Sequence, residues 1–315
     1  APLLERYLHL GSPVPVLLLA VLAAAILGGL VPRGVLMGEK RFAPVAGGLA
    51  TGVTLKLVLG AGLAAAFGVS GAVAAAAAGE CVTTLLYYRS LGPHRSGTEL
   101  RVPGRSFSLA TGAYCGFWLL AAADTFLARH LLSATSSGLY VAASTAGSIA
   151  LFLPNNITLT VFPSLAGAAG DDRSPTGTFG SALVAAGALT VAAAGALALL
   201  PSLAVAILFG PSFKAASGLL VLLAVSNGAQ GMVSFLLHHQ LAHHRLTCLL
   251  PWLGLGALVA AANVAHQSPR QIAAEALVIS VVLVVVMATL SLRMVMAPGD
   301  PEPEPEDLVP GFVKD

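Results

Sequence analysis

Long apolar runs, interrupted by short clusters of charge, proline and glycine, cover most of this chain. A bilayer core of about 30 Å is crossed by a helix of about 20 predominantly apolar residues. Segments that meet this rule run approximately over 13–31, 43–67, 71–88, 108–128, 138–166, 179–208, 215–238, 246–264 and 272–297. The fifth and sixth are long enough to tilt, kink or extend beyond the bilayer. Pro154 is placed to kink the fifth, and Pro201 to start a short helical extension before the Phe209-Gly210-Pro211 turn. A tight turn around Ser70-Gly71 makes the second and third segments antiparallel neighbours.

Composition agrees with this pattern. Hydrophobic residues make up 57% of the chain, charged residues 10%, and the mean hydropathy is +0.86. A soluble domain carries about 25% charged residues because its surface faces water. The expected fold class is therefore all-α: a polytopic transmembrane bundle of about nine helices embedded in a lipid bilayer. The abundance of glycine and alanine fits close helix approach in lipid, and Gly48/Gly52 and Gly112/Gly116 have small-xxx-small spacing. A net charge of +2 gives no reason to expect nucleic acid as a partner. The three cysteines (Cys81, Cys115 and Cys248) are scattered in apolar stretches, where they read as small core residues rather than a disulfide framework or a zinc site.

Basic residues alternate between the two sets of loops, which orients the bundle. One side carries Arg33, Lys40, Arg41, Arg89, Arg95, Arg101, Arg105, Arg173, Arg245 and Arg293; the other carries Arg6, Arg129, Lys214 and Arg270. Ten against four puts the first set in the cytoplasm, the N-terminus outside and the C-terminus inside. No cleavable signal peptide is recognisable, and an outside N-terminus beginning Ala-Pro-Leu-Leu without Met suggests that further helices precede it. From Pro298 onward a Pro-Glu repeat cannot bury a core, and a disordered acidic tail is expected over 298–315.

Ionisable groups at bilayer depth cost at least about 2.5–3.5 kcal/mol each and usually face a cavity or a partner. Lys56 lies near the middle of the second segment and Glu80 near the middle of the third. The intervening turn brings them to similar depth, within reach of an ion pair. Two readings follow: a structural pair that neutralises itself, or a pair that lines a cavity. Asp124 sits about a turn from the end of the fourth segment, with Arg129 and His130 just beyond. It reads either as an interfacial charge hydrated by headgroups or as a cavity residue. Asn155 and Asn156 follow Pro154 near the middle of the fifth segment, ahead of Thr158 and Thr160, and suggest a kinked, cavity-facing helix. Asn227 and Gln230 in the seventh segment are candidates to line the same space.

His239 and His243 have the spacing that puts two imidazoles on one helical face, but Gln240 stands where a zinc protease needs its glutamate base. With His238, His244 and Arg245 alongside, a helix end that favours cations accounts for them without a metal. The sequence has no P-loop, and Gly254-Leu-Gly256 lacks the preceding strand and later glycine of a dinucleotide site. No Ser/His/Asp or paired-carboxylate arrangement stands out. The reading is of a protein that is not an enzyme and needs no cofactor.

Three stretches together resemble a known family. Leu30-Val-Pro-Arg-Gly-Val-Leu-Met-Gly-Glu-Lys-Arg-Phe42 resembles a loop of polysaccharide-export flippases, in which an Arg-Gly-x-Leu-x-Gly run leads to a basic residue and Phe. Ala123-Asp-Thr-Phe-Leu-Ala-Arg-His130, then Gly138-Leu-Tyr-Val-Ala-Ala-Ser144 and Val161-Phe-Pro-Ser164, is similar to the centre of those proteins. Ile207-Leu-Phe-Gly210, followed by Phe213 and Ala215-Ala216, resembles their Leu-Phe-Gly turn. These belong to the multidrug/oligosaccharidyl-lipid/polysaccharide exporter superfamily, and the resemblance covers about residues 25–240. It implies two six-helix lobes around a central cavity, working by alternating access. Members usually have twelve to fourteen helices, so nine beginning outside match a member without its first three. Residues 1–106 would then be a partial N-terminal lobe and 107–297 a complete six-helix C-terminal lobe.

The resemblance implies a flippase for an isoprenoid-pyrophosphate-linked oligosaccharide in the cell membrane, serving surface polysaccharide or cell-wall assembly, with a glycan polymerase or glycosyltransferases as partners. Depth and polarity make Lys56 and Arg129 candidates for phosphate attraction. Asp124, Asn155, Asn156, Asn227 and Gln230 are candidates for sugar hydroxyls. The resemblance marks Asp124 and Arg129 as recurrent positions. Two other readings remain: a drug/cation antiporter of the same superfamily, with Glu80 or Asp124 as coupling acid, and a non-transporting scaffold for glycan assembly. An intramembrane metalloenzyme built on the histidines is the most remote.

Overall fold

The computed structural model describes residues 13–91, 104–152, 175–243, 245–265 and 268–296. Among them every regular element is helical: α1 (Val14–Gly38), α2 (Phe42–Ser90), α3 (Gly104–Leu131), α4 (Ala134–Gly147), α5 (Pro175–Leu199), α6 (Pro201–Phe209), α7 (Ser217–Ala242), α8 (Leu250–Val264) and α9 (Pro269–Met296). Short 3-10 turns, Pro211–Ala216 and Leu246–Leu249, lead into α7 and α8. The chain is all-α, as its pattern predicts.

Among the described residues six helices are long and apolar enough to cross a membrane, which marks the chain as a membrane protein: Val14–Gly38, Phe42–Ser90, Phe179–Leu199, Pro211–Ala242, Leu246–Val264 and Pro269–Met296. Helix α3 is long enough but carries Thr111, Tyr114 and Asp124 in its apolar stretch and falls outside that set. Of the predicted fifth segment, only the part up to residue 152 is described, so Pro154 lies outside the described residues. The predicted sixth segment divides at Leu200 into α5 and α6, with Pro201 at the first position of α6, where its missing N–H costs nothing. Helix α1 continues through Pro32 to Gly38, past the predicted end at residue 31. The flexible backbone of Gly28 and Gly29 lies one turn before the proline, where its ring crowds the helix.

The chain divides into two compact units, Ala1–Leu100 and Arg101–Asp315. In the first, α1 packs on α2, whose 49 residues would span about 74 Å if straight. It does not run straight. Gly68 has φ 59° and ψ −136°, a conformation that favours glycine, and there the chain folds back into two limbs, 42–67 and 69–90. The predicted pair of antiparallel segments is thus a hairpin hinged at Gly68, two residues before the expected Ser70-Gly71 turn. Thr84 donates to the Ala25 carbonyl at 2.8 Å and ties α2 to α1. Tyr87 donates to the Val45 carbonyl at 3.3 Å and ties the two limbs together.

In the second unit α7 runs through the centre, with α9, α5 and α4 packed around it. Helix α3 packs on α8 and α4. The Gly112/Gly116 spacing receives Trp252 of α8: its indole donates to the Gly112 carbonyl at 2.9 Å and lies against Gly116, where a side chain would collide with it. One apolar cluster gathers Phe117, Leu120, Leu236 and Met287; a second gathers Tyr140, Leu220, Leu223 and Ile272. Of the cysteines only Cys248 is buried; Cys81 and Cys115 are exposed, contrary to the core role expected of them. An outward-facing thiol costs little on a helix whose surroundings are apolar.

Candidate functional site

Two polar centres lie on these apolar helices, one in each unit. The first is the hairpin. Lys56 lies twelve residues before the hinge Gly68 and Glu80 twelve after it, so the two limbs bring them to the same level, about 18 Å from the bend. There Lys56 Nζ donates to Glu80 Oε2 at 2.5 Å. Glycines make this possible. The limbs approach so closely that a Cβ on Gly52 would overlap the Thr83 hydroxyl, and one on Gly79 would overlap the Lys56 stem. The Lys56 chain therefore lies across bare Gly79 backbone, and the next residue, Glu80, receives its head. Both groups stay partly open, their side chains 34% and 20% exposed. Tyr87 lies within electrostatic reach of Arg33 and of Glu80.

The second centre is built where α3 turns into α4. Ser133 caps α4 by accepting the backbone N–H of Ser136. Asp124 stands eight residues before Leu132 and Tyr140 eight after it, so the turn sets them side by side. Asp124 is buried, at 2% exposure. Its Oδ2 accepts the Tyr140 hydroxyl at 3.0 Å. Its Oδ1 accepts the Thr125 backbone N–H at 2.7 Å and the Thr125 hydroxyl at 3.3 Å. The Thr125 hydroxyl also lies 3.4 Å from Ser144 Oγ, while Asn227 of α7 donates to the Ser144 carbonyl at 3.2 Å. Beyond Asp124, Arg129 donates to Ser137 Oγ at 3.3 Å. Glu275 of α9 lies within electrostatic reach of Tyr140. A carboxylate, a phenol and several small polar groups are thus gathered among four helices inside otherwise apolar packing.

The predicted site residues sort accordingly. Lys56 and Glu80 meet. Asp124 and Asn227 are joined through Thr125 and Ser144, with Arg129 on the same α3–α4 pair. Gln230, three residues beyond Asn227 on α7, is buried and donates to Ser280 Oγ at 3.5 Å. Asn155 and Asn156 lie outside the described residues. Tyr140, Ser144 and Glu275 were not picked out as site residues by the sequence reading. Tyr140 and Ser144 are spaced to share a helix face, and Glu275 is an acid inside the apolar run 272–297, the signal that singled out Glu80.

The histidines pack as rings. His239 lies 4.1 Å (centroid to centroid) from Phe179 and 4.8 Å from His243; His238 stacks edge-on with Tyr114 at 5.4 Å. His238 Nδ1 is 2.6 Å from the Ser234 carbonyl. Gln240 points away into the bundle and donates to the Met287 carbonyl and to Ser291 Oγ, at 3.1 and 3.2 Å. Among the described residues no group of three or more His, Cys, Asp or Glu side chains is placed to hold a metal ion; His244 is outside them. No protein-family model, curated protein or solved structure matches the chain.

Proposed function

We propose that this protein is a membrane flippase that moves an isoprenoid-pyrophosphate-linked oligosaccharide across the cell membrane by alternating access. The observation that carries the reading is Lys56. Among the described residues it is the cation farthest from any helix end or bend, held by Glu80 and still partly open. A cation at that depth costs free energy that a purely structural element would not need to spend, and it suits a diphosphate that must cross the same depth. The Asp124, Thr125, Ser144 and Asn227 group suits sugar hydroxyls, which both donate and accept. Nine spans are proposed: α1, the two limbs of α2, α3, the helix beginning with α4, α5 with α6, α7, α8 and α9. The excess of basic residues on one set of loops supports an orientation with the N-terminus outside and the C-terminus in the cytoplasm.

Expression in a strain lacking its own lipid-linked-oligosaccharide flippase tests this. Surface glycan should return with the wild-type chain and fall at least about tenfold with Lys56→Ala, at equal amounts of protein in the membrane. Tenfold corresponds to about 1.4 kcal/mol of lost transition-state stabilisation. Full export by Lys56→Ala would remove Lys56 from the substrate path.

One observation favours a second reading, a drug/cation antiporter. Asp124 and Glu275 both approach Tyr140, and two carboxylates near one phenol suit a proton or sodium ion as coupling cargo. That reading expects cation-driven efflux of organic cations from vesicles and no rescue of surface glycan.

A further inference from the structure

The Lys56–Glu80 pair has more to it than neutrality. A pair that only neutralises itself needs no opening to groups outside the hairpin. Here the limbs close tightly at Gly52, Gly79 and Thr83, yet the charged ends remain open. The Lys56 stem lies against the bare backbone of Gly79, which sets the course of the stem towards the ammonium. An ammonium has three donors, and Glu80 is the one partner that Lys56 has among the described residues.

We propose that Glu80 is a displaceable counter-ion that sets the charge a ligand must carry to reach Lys56. This rests on the flippase reading and deepens it. In the empty state Glu80 balances Lys56 at bilayer depth. A diphosphate carries more than one negative charge and several acceptor oxygens, so its attraction for an ammonium exceeds that of a single carboxylate at equal distance. It takes the ammonium over. A neutral lipid headgroup or a zwitterion with a shielded anion does not, and the pair stays closed. Glu80 thereby acts as a specificity-determining residue: it excludes the bulk lipids that surround the same helices and admits the pyrophosphate-bearing one.

The test is binding of geranylgeranyl diphosphate to the purified full chain in nanodiscs, with geranylgeraniol as the blank. The wild type should bind the diphosphate above the blank. Lys56→Gln should weaken that binding at least tenfold, and Glu80→Gln should tighten it about tenfold because the competitor is gone. Glu80→Asp keeps the charge but shortens the reach, and should tighten it about threefold; it serves as the readout if Glu80→Gln proves unstable. If the wild type binds but neither Glu80 variant binds more tightly, the counter-ion role falls while the flippase reading stands. If the wild type does not bind the diphosphate above the blank, the flippase reading falls and takes this inference with it.

Discussion

Exchanging Asp124 for asparagine is expected to lower glycan export at least about tenfold while the chain stays folded in the membrane. The carboxylate is buried and takes hydrogen bonds from Tyr140 and from both the backbone and the hydroxyl of Thr125. An asparagine oxygen can still accept from Tyr140, so the α3–α4 contact survives, while the amide NH2 replaces the oxygen that accepted from Thr125 and those bonds are lost with the carboxylate. Alanine is harsher. It leaves the Tyr140 hydroxyl buried without its acceptor, at a cost of about 1–3 kcal/mol, and should lower both export and protein level. Surface glycan measured against immunoblotted membrane protein separates the two effects. Unchanged export by the asparagine variant would assign Asp124 a purely structural task.

The second large effect is expected at Gly52. A leucine there has nowhere to go, because even its Cβ would overlap the Thr83 hydroxyl and press on the Gly79 carbonyl of the facing limb, 3.1 Å away. Thr83 is itself buried and donates to the Gly79 carbonyl, so it cannot easily swing aside. Overpacking in well-packed interiors costs about 1–3 kcal/mol and more where backbone must move. Gly52→Leu should therefore spread the limbs, separate Lys56 from Glu80 and lower the melting temperature of the detergent-purified protein by several degrees. Gly62→Leu on the same limb, where a Cβ meets nothing within 4 Å, is the control and should leave it unchanged. Equal melting of the two variants would contradict the close packing of the hairpin.

The hairpin was readable in advance because two simple rules meet in it. Glycine and serine mark a reversal, and charges at matching distances from a reversal find each other. The hinge fell at Gly68 rather than Ser70-Gly71 because the structure uses the glycine that takes a positive φ, and nothing in the local composition distinguishes the two positions. The Asp124 centre was only half legible. An acid in an apolar helix announces itself, but nothing in the Gly138–Ser144 stretch marks Tyr140 and Ser144 as its partners. They become partners only when the Ser133-capped turn sets α3 against α4. Glu275 escaped notice for a different reason. It lies near the start of its helix, where an acid passes for an interfacial residue, and the packing of α9 beside α4 brings it towards Tyr140. The long apolar runs gave the helical class at once, because hydropathy reports burial in lipid directly. Pro32 misplaced one boundary, since a proline inside a helix reads as its end.

Transfer of a fluorescent isoprenoid-pyrophosphate oligosaccharide between the leaflets of reconstituted vesicles is the most direct measurement of the central claim. Vesicles holding the purified chain should expose the outer-leaflet probe to the lumen faster than protein-free vesicles, and Lys56→Ala and Asp124→Asn should return the rate towards the protein-free value. Transfer no faster than in protein-free vesicles, with the chain verified as inserted and folded, would contradict the flippase reading.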